Sequence, residues 1–329
     1  MNATVTALDK KPVPPPNSGL TPYGGVWDRK QVTHLLRRTM FGATKADVDY
    51  FVGKTMSQTI AELLDTTVDT NPPPPLNYYS YTGCNSDNVD PKVAFGDTWV
   101  NSSREPGGQI DNLQAQSVKA WWIGRMLNQE RSILEKMVLF WHNHMPISAA
   151  GSNDARNLYT YNAVLRKNAL GNFKTMVREI TVNPGMLFYL NGNVNVAGSP
   201  DENYARELQE LFCVGKGPDA GYNEDDVKAA ARVLTGWNYN TATMPPVGIN
   251  LAGRHDTKDK QFSAFYKNTI IKGSTDANKE LDDLLNMIFA TNEVAKFIVR
   301  KVYSFFVYYE ITAQIEAEVI TPLADIFRS

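Results

Sequence analysis

From Asp28 onward, apolar side chains recur three and four residues apart in one segment after another, while apolar and polar residues seldom alternate. A period of 3.6 places such residues on one face of an α-helix, whereas a half-buried strand needs a period of two. The expected fold class is therefore all-α, an irregular multi-helix bundle with long loops and at most a short β-hairpin. Only residues 264 to 271 carry a strand pattern.

Asp28 is placed as the N-cap of a first helix that carries Val32, Leu35 and Leu36 on one face and ends at Gly42. Thr44 to Asp47 reads as a capping box with a shortened acid and opens a second helix. A third puts Met56, Ile60, Leu63 and Leu64 in register before Pro72 to Pro75. The pattern returns at Asp111, with Ala115, Val118, Trp122 and Met126 in a stripe and Trp121 on its flank. Another helix follows from Ile133 to near Asn143, because Pro146 biases Met145 away from helical geometry. Further helices are expected over residues 153 to 167, 173 to 182, 201 to 214, 224 to 235 and 276 to 327, with Asn183-Pro184 stopping the second of these and residues 238 to 273 irregular. Residues 1 to 25, which include Lys11-Pro12-Val13-Pro14-Pro15-Pro16, read as an extended arm, and residues 26 to 329 as a single helical domain.

The charge balance of 33 basic against 35 acidic residues gives no electrostatic reason to expect nucleic acid as a partner. The apolar run from Val302 to Tyr309 is too short to span a bilayer, so no transmembrane segment is expected. No basic stretch followed by an apolar one opens the chain. It is expected in the cytoplasm as written, or exported if a leader was removed. Cys84 and Cys213 can form one bridge at most, and Cys213, among apolar residues, reads as a buried free thiol. No glycine fingerprint for phosphates is present, so no nucleotide cofactor is expected.

Two of the four histidines, His142 and His144, stand one residue apart at the end of an apolar helix. On a continuous helix they point about 200° apart; a break before Pro146 would let them converge on one ion. Glu207 falls on the edge of the apolar face defined by Tyr204, Leu208 and Leu211, and a carboxylate there loses hydration unless a cation or donors replace it. Asn203 lies one turn before Glu207, and Glu202, Arg206 and Glu210 follow each other at four-residue spacing, as in a surface ion-pair ladder. His255 and Asp256, adjacent in the irregular segment, can supply a further ligand or a general base, or can form an exposed turn.

The blocks His34 to Gly42, Glu135 to His144, Asn203 to Phe212, Leu234 to Trp237 and His255-Asp256 together resemble a bacterial family catalogued as domain of unknown function 1800. The resemblance covers residues 28 to 329 and implies a mostly helical protein without an established activity. It also implies export in many members and a sulfatase-like partner protein. Met145 and Met40 depart from the family pattern, and the chain ends at Ile326-Phe327-Arg328-Ser329, so a C-terminal part is expected to be missing.

Two functions follow as expectations. In the first, His142, His144 and Glu207 bind a divalent metal (zinc, manganese or iron), with Glu207, His255 and Asp256 catalytic and Asn203 and Arg206 orienting the substrate, for hydrolysis. In the second, the protein is a non-catalytic helical binding or scaffold protein whose Glu207 pairs with a buried Arg or His. Its ligand would be a small molecule or a polysaccharide. Tyr78, Tyr79, Tyr81 and Trp237 are the residues that could stack on sugar rings; the tyrosines can equally be pins for the long loop of residues 71 to 108.

Overall fold

The computed structural model describes residues 19–104, 108–149, 154–217 and 220–328; the Pro-rich run from Lys11 to Pro16 lies outside them. These residues are mostly helical and fall into two compact units, residues 26 to 294 and residues 295 to 328 with 19 to 25.

Local capping builds the start of the larger unit. In α1 (Arg29–Thr39), the Asp28 side chain accepts the amide of Lys30, and Val32 and Leu36 are fully buried. They pack with Met40, the C-cap of the same helix, with Val48 and Phe51 of α2 (Lys45–Val52) and with Leu63 of α3 (Met56–Leu63). Thr44 caps α2 as the sequence suggests, and a complete reciprocal box, Thr55 with Gln58, caps α3.

The loop of residues 71 to 108 is held down by buried polar pins. Asn77 Nδ2 donates to Val93 O (2.8 Å) and Tyr79 OH to Asp90 Oδ2 (2.8 Å), while Trp99, fully buried, donates to Ser117 Oγ (2.9 Å). The loop is thereby fixed against α4 (Gln109–Leu127). Three helices then pack in sequence: α5 (Leu134–His144), α6 (Ala155–Asn168) and α7 (Phe173–Thr181).

Pro184 departs from the sequence reading. It ends α7 but also starts α8 (Pro184–Tyr189), because Asn183 accepts the Gly185 amide (2.9 Å) and proline at the first helical position has no amide to leave unpaired.

After α9 (Asn203–Glu207) the backbone widens into a π-helical segment, Leu208–Cys213, in which the Val214 amide donates to Gln209 O, five residues back (2.8 Å). Cys213 is a buried free thiol. In α10 (Glu224–Val233), Asn223 and Asp226 cap each other.

Residues 238 to 273 are more ordered than their sequence suggests. An antiparallel hairpin pairs β1 (Trp237–Asn240) with β2 (Val247–Asn250), Trp237 opposite Asn250, and a second short pair joins β3 (Lys260–Gln261) to β4 (Ile270–Ile271). The unit closes with α11 (Ala277–Phe289).

Most of α12 (Asn292–Phe306) belongs to the smaller unit, together with α13 (Ala313–Ile315), a second π segment Glu316–Ile320, and α14 (Thr321–Arg328). Its core is Ala295, Val299, Ile315, Ile320 and Ala324. Among the described residues no helix is long and apolar enough to cross a membrane.

Candidate ligand-binding site

Helix α5 does not break between its histidines; it runs unbroken through His144, with Met145 as its C-cap. The rings therefore diverge. His142 lies against Trp122 of α4 (ring centroids 5.0 Å) and Tyr161 of α6 (6.2 Å), where burial pushes its pKa down and favours the neutral ring. His144 sits among Phe140, Phe173 and Phe212, and its Nε2 is 2.8 Å from Phe212 O. A carbonyl only accepts, so that nitrogen carries the proton.

Glu207 ends α9 at the start of the π segment. It is half-buried and its Oε2 has no hydrogen-bond partner. Burial, then the like charge of Glu210, raise its pKa; Lys216 and Arg206 act the other way, and no imidazole contributes. The widened turn also explains why Leu211, expected on the apolar face, is 49% exposed while Phe212 and Cys213 are buried. Asn203 is exposed. Arg206 is engaged by acids, with Nη1 and Nη2 each 2.7 Å from the Glu224 carboxylate and Nη2 3.0 Å from Glu202. Its pairing with Glu202 matches the expected ladder, but Glu210 pairs with Lys216 instead. The expected metal ligands are not brought together, and among the described residues no group of three or more His, Cys, Asp or Glu side chains is placed to hold a metal ion.

His255 and Asp256 are neighbours in a buried ionic cluster. His255 Nδ1 is 2.9 Å from Thr235 O, which fixes the proton on that nitrogen. Nε2 then faces Glu280 Oε1 at 3.3 Å, a contact that is favourable only if Nε2 is also protonated, although it lies off the line of a full hydrogen bond. The Glu280 carboxylate accordingly pushes the His255 pKa up against the opposing effect of burial. Lys260 Nζ donates to the other Glu280 oxygen, and the side chains of Lys260, His255 and Glu280 are all fully buried. Burial raises the Glu280 carboxyl, but His255, Lys260 and the Ser274 amide outweigh it and the pKa falls. Burial likewise opposes Arg232 and the Lys258 amide at Asp256, and they prevail. Arg232 Nε donates to Asp256 Oδ2 at 2.7 Å. The cluster joins the irregular segment to α10 and α11.

Among the described residues, buried acids that find cations include Glu280, Glu135 and Asp154, the last paired with Arg156 (2.7 Å), but not Glu207. Arg166 of α6 grips Glu135 of α5 through Nη1 (2.5 Å) and Nη2 (2.9 Å).

Open space lies elsewhere, beside α4. A groove of about 650 Å³ runs between α4 and the segment Pro73-Pro74-Pro75, within the size range of ligand sites. Trp121 supplies an aromatic surface, its Nε1 donating to Pro73 O (2.8 Å) so that the indole is held in place. Tyr78, 63% exposed and braced edge-on by Phe95 (5.4 Å), lines the opposite wall. Gln116, Arg125 and Asn128 add polar groups, and Gly124 leaves the floor open, since a Cβ there would meet nothing within 4 Å.

The four aromatic residues picked from sequence thus separate. Tyr78 and Tyr79 line the groove, the latter tied to Asp90; Tyr81 is exposed but does not line it; Trp237 is buried beside a void of about 10 Å³, which has no room for a sugar.

A family model described as a protein of unknown function, DUF1800, matches residues 34–329. The chain belongs to this family. No curated protein and no solved structure matches it.

In this DUF1800 protein, Trp121 and Arg125 are the groove residues that sequence reasoning passed over. The sequence offered only the position of Trp121 on the flank of the α4 stripe, and a single large ring off the core face is too common to mark a site. What makes it a site is the contact with Pro73, 48 residues away in sequence.

Proposed function

We propose that the protein binds polysaccharide in the groove beside α4. Trp121 and Tyr78 present aromatic faces, on which the apolar face of a sugar ring stacks, while Gln116, Arg125 and Asn128 meet its hydroxyls. The observation that carries the reading is an aromatic groove of about 650 Å³ with an indole anchored at its edge. Three successive prolines form a wall with fixed φ, so the site is preorganised and little is lost on ordering it.

Titration of intrinsic tryptophan fluorescence with neutral and acidic oligosaccharides should show saturable binding, lost in Trp121→Ala. Gly124→Leu gives a second arm. The new side chain projects into open groove, and replacing a helical glycine should raise stability by about 0.5–1 kcal/mol. That variant should therefore melt no lower than wild type and yet not bind. Silence of the wild type across the panel, or undiminished binding by Gly124→Leu, would remove the proposal.

A further inference from the structure

We infer that the groove selects acidic sugars, with the Arg125 guanidinium receiving a sugar carboxylate. The inference rests on the polysaccharide reading and adds the charge of the ligand. Among the described residues lining the groove, Arg125 is the single charged one. The three prolines of the facing wall have no N–H to offer, so an anion entering there meets no backbone donor at those positions.

The protein holds this guanidinium only loosely, in a long ion pair with a carboxylate that it shares with Arg166. Its nearest carboxylate, Glu135, is buried and gives both oxygens to Arg166. Arg125 Nε is buried 3.9 Å from Glu135 Oε1, beyond hydrogen-bond reach, and has no hydrogen-bond partner. Two guanidiniums thus share one carboxylate where α4, α5 and α6 meet, and Arg166 holds the closer contact. The terminal nitrogens of Arg125 make no hydrogen bond with a described residue, and its side chain is 30% exposed.

Geometry favours a carboxylate on a stacked ring. Trp121 and Arg125 are four residues apart on one helical face, about 6 Å along the axis. A sugar lying on the indole therefore holds a ring substituent within reach of the guanidinium, whose planar fork matches a carboxylate.

The test is calorimetric titration of the full chain with hexagalacturonate, the same hexasaccharide methyl-esterified, and a sulfated hexasaccharide of equal length. Wild type should bind the free acid about 10- to 100-fold more tightly than the ester, the range expected of one charge-assisted contact. Arg125→Gln should bring that ratio to about one, and Arg125→Lys should keep part of it. Each ratio is taken within one variant, so a loss of folded protein cancels.

Equal binding of acid and ester by wild type, or an unchanged ratio in Arg125→Gln, overturns acid selection while leaving saccharide binding intact. Tighter binding of the sulfated probe than of the free acid overturns the carboxylate assignment. If none of the three probes binds, acid selection is overturned, and the polysaccharide reading falls with it only if the neutral oligosaccharides of the fluorescence panel are silent as well.

Discussion

Replacing Glu280 by Gln should be among the most damaging isosteric changes available to this protein. The carboxylate receives the Ser274 amide (2.6 Å) and faces His255 Nε2 (3.3 Å) through one oxygen, and it accepts from Lys260 through the other. Both cationic partners have fully buried side chains. Removing one member of such a group strands the other charges in a medium that solvates them poorly, at a cost of about 3–5 kcal/mol. Against a total stability of about 5–15 kcal/mol, that is at least about a fifth of what holds the fold.

Urea unfolding followed by circular dichroism at pH 6 should show the loss as a lower midpoint at unchanged slope. Dependence on pH adds a second readout. The folded pKa of His255 lies above its ordinary 6.5, so its contribution is complete below pH 6.5 and disappears as pH rises through the folded value. The folded pKa of Glu280 lies below 4.5, so its contribution is complete above pH 4.5 and disappears as pH falls through the folded value. Wild type should be most stable between these limbs, and Glu280→Gln should flatten both. A loss below about 1 kcal/mol, no more than an exposed pair supplies, would refute the reasoning. So would an alkaline limb that survives in the variant.

Two other changes probe the π segment and the acid before it. Leu208 is fully buried and Leu211 is 49% exposed, so Leu208→Ala should cost about 2–5 kcal/mol and Leu211→Ala under about 0.5 kcal/mol in urea unfolding. Equal costs would mean that an ordinary α-helix continues through Cys213 in solution. Glu207→Gln should leave the protein folded and, above pH 5, at least as stable as wild type. Burial and Glu210 raise the folded carboxyl above 4.5, so wild type loses stability as pH rises through that folded value and the amide does not. A loss above about 2 kcal/mol would reveal a partner for Oε2.

The sequence by itself determined the helical class and most helix starts, because those depend on contacts a few residues apart. Asp28, Thr44 and Asn223 cap where their side chains reach the next amides, whatever the rest of the chain does. It also supported the rule that an acid on a greasy face needs a cation or donors, but attached the cation to Glu207, whereas Glu280 has Lys260 and buried Asp226 is held, among the described residues, by Ser263 and Asn223 alone. Regular 100° steps from Tyr204 put Leu211 inward, and the π turn that rotates it out is a backbone choice invisible to periodicity.

Tertiary structure decided which acids are buried and what they meet. Glu135 is committed by Arg166, 31 residues on, and Glu280 by His255 and Lys260, at least 20 residues back. It also decided the groove, where an indole on α4 meets a proline carbonyl 48 residues earlier in the chain. Desolvation and long-range charge depend on the neighbours that packing supplies, and no local spacing of residue types records them.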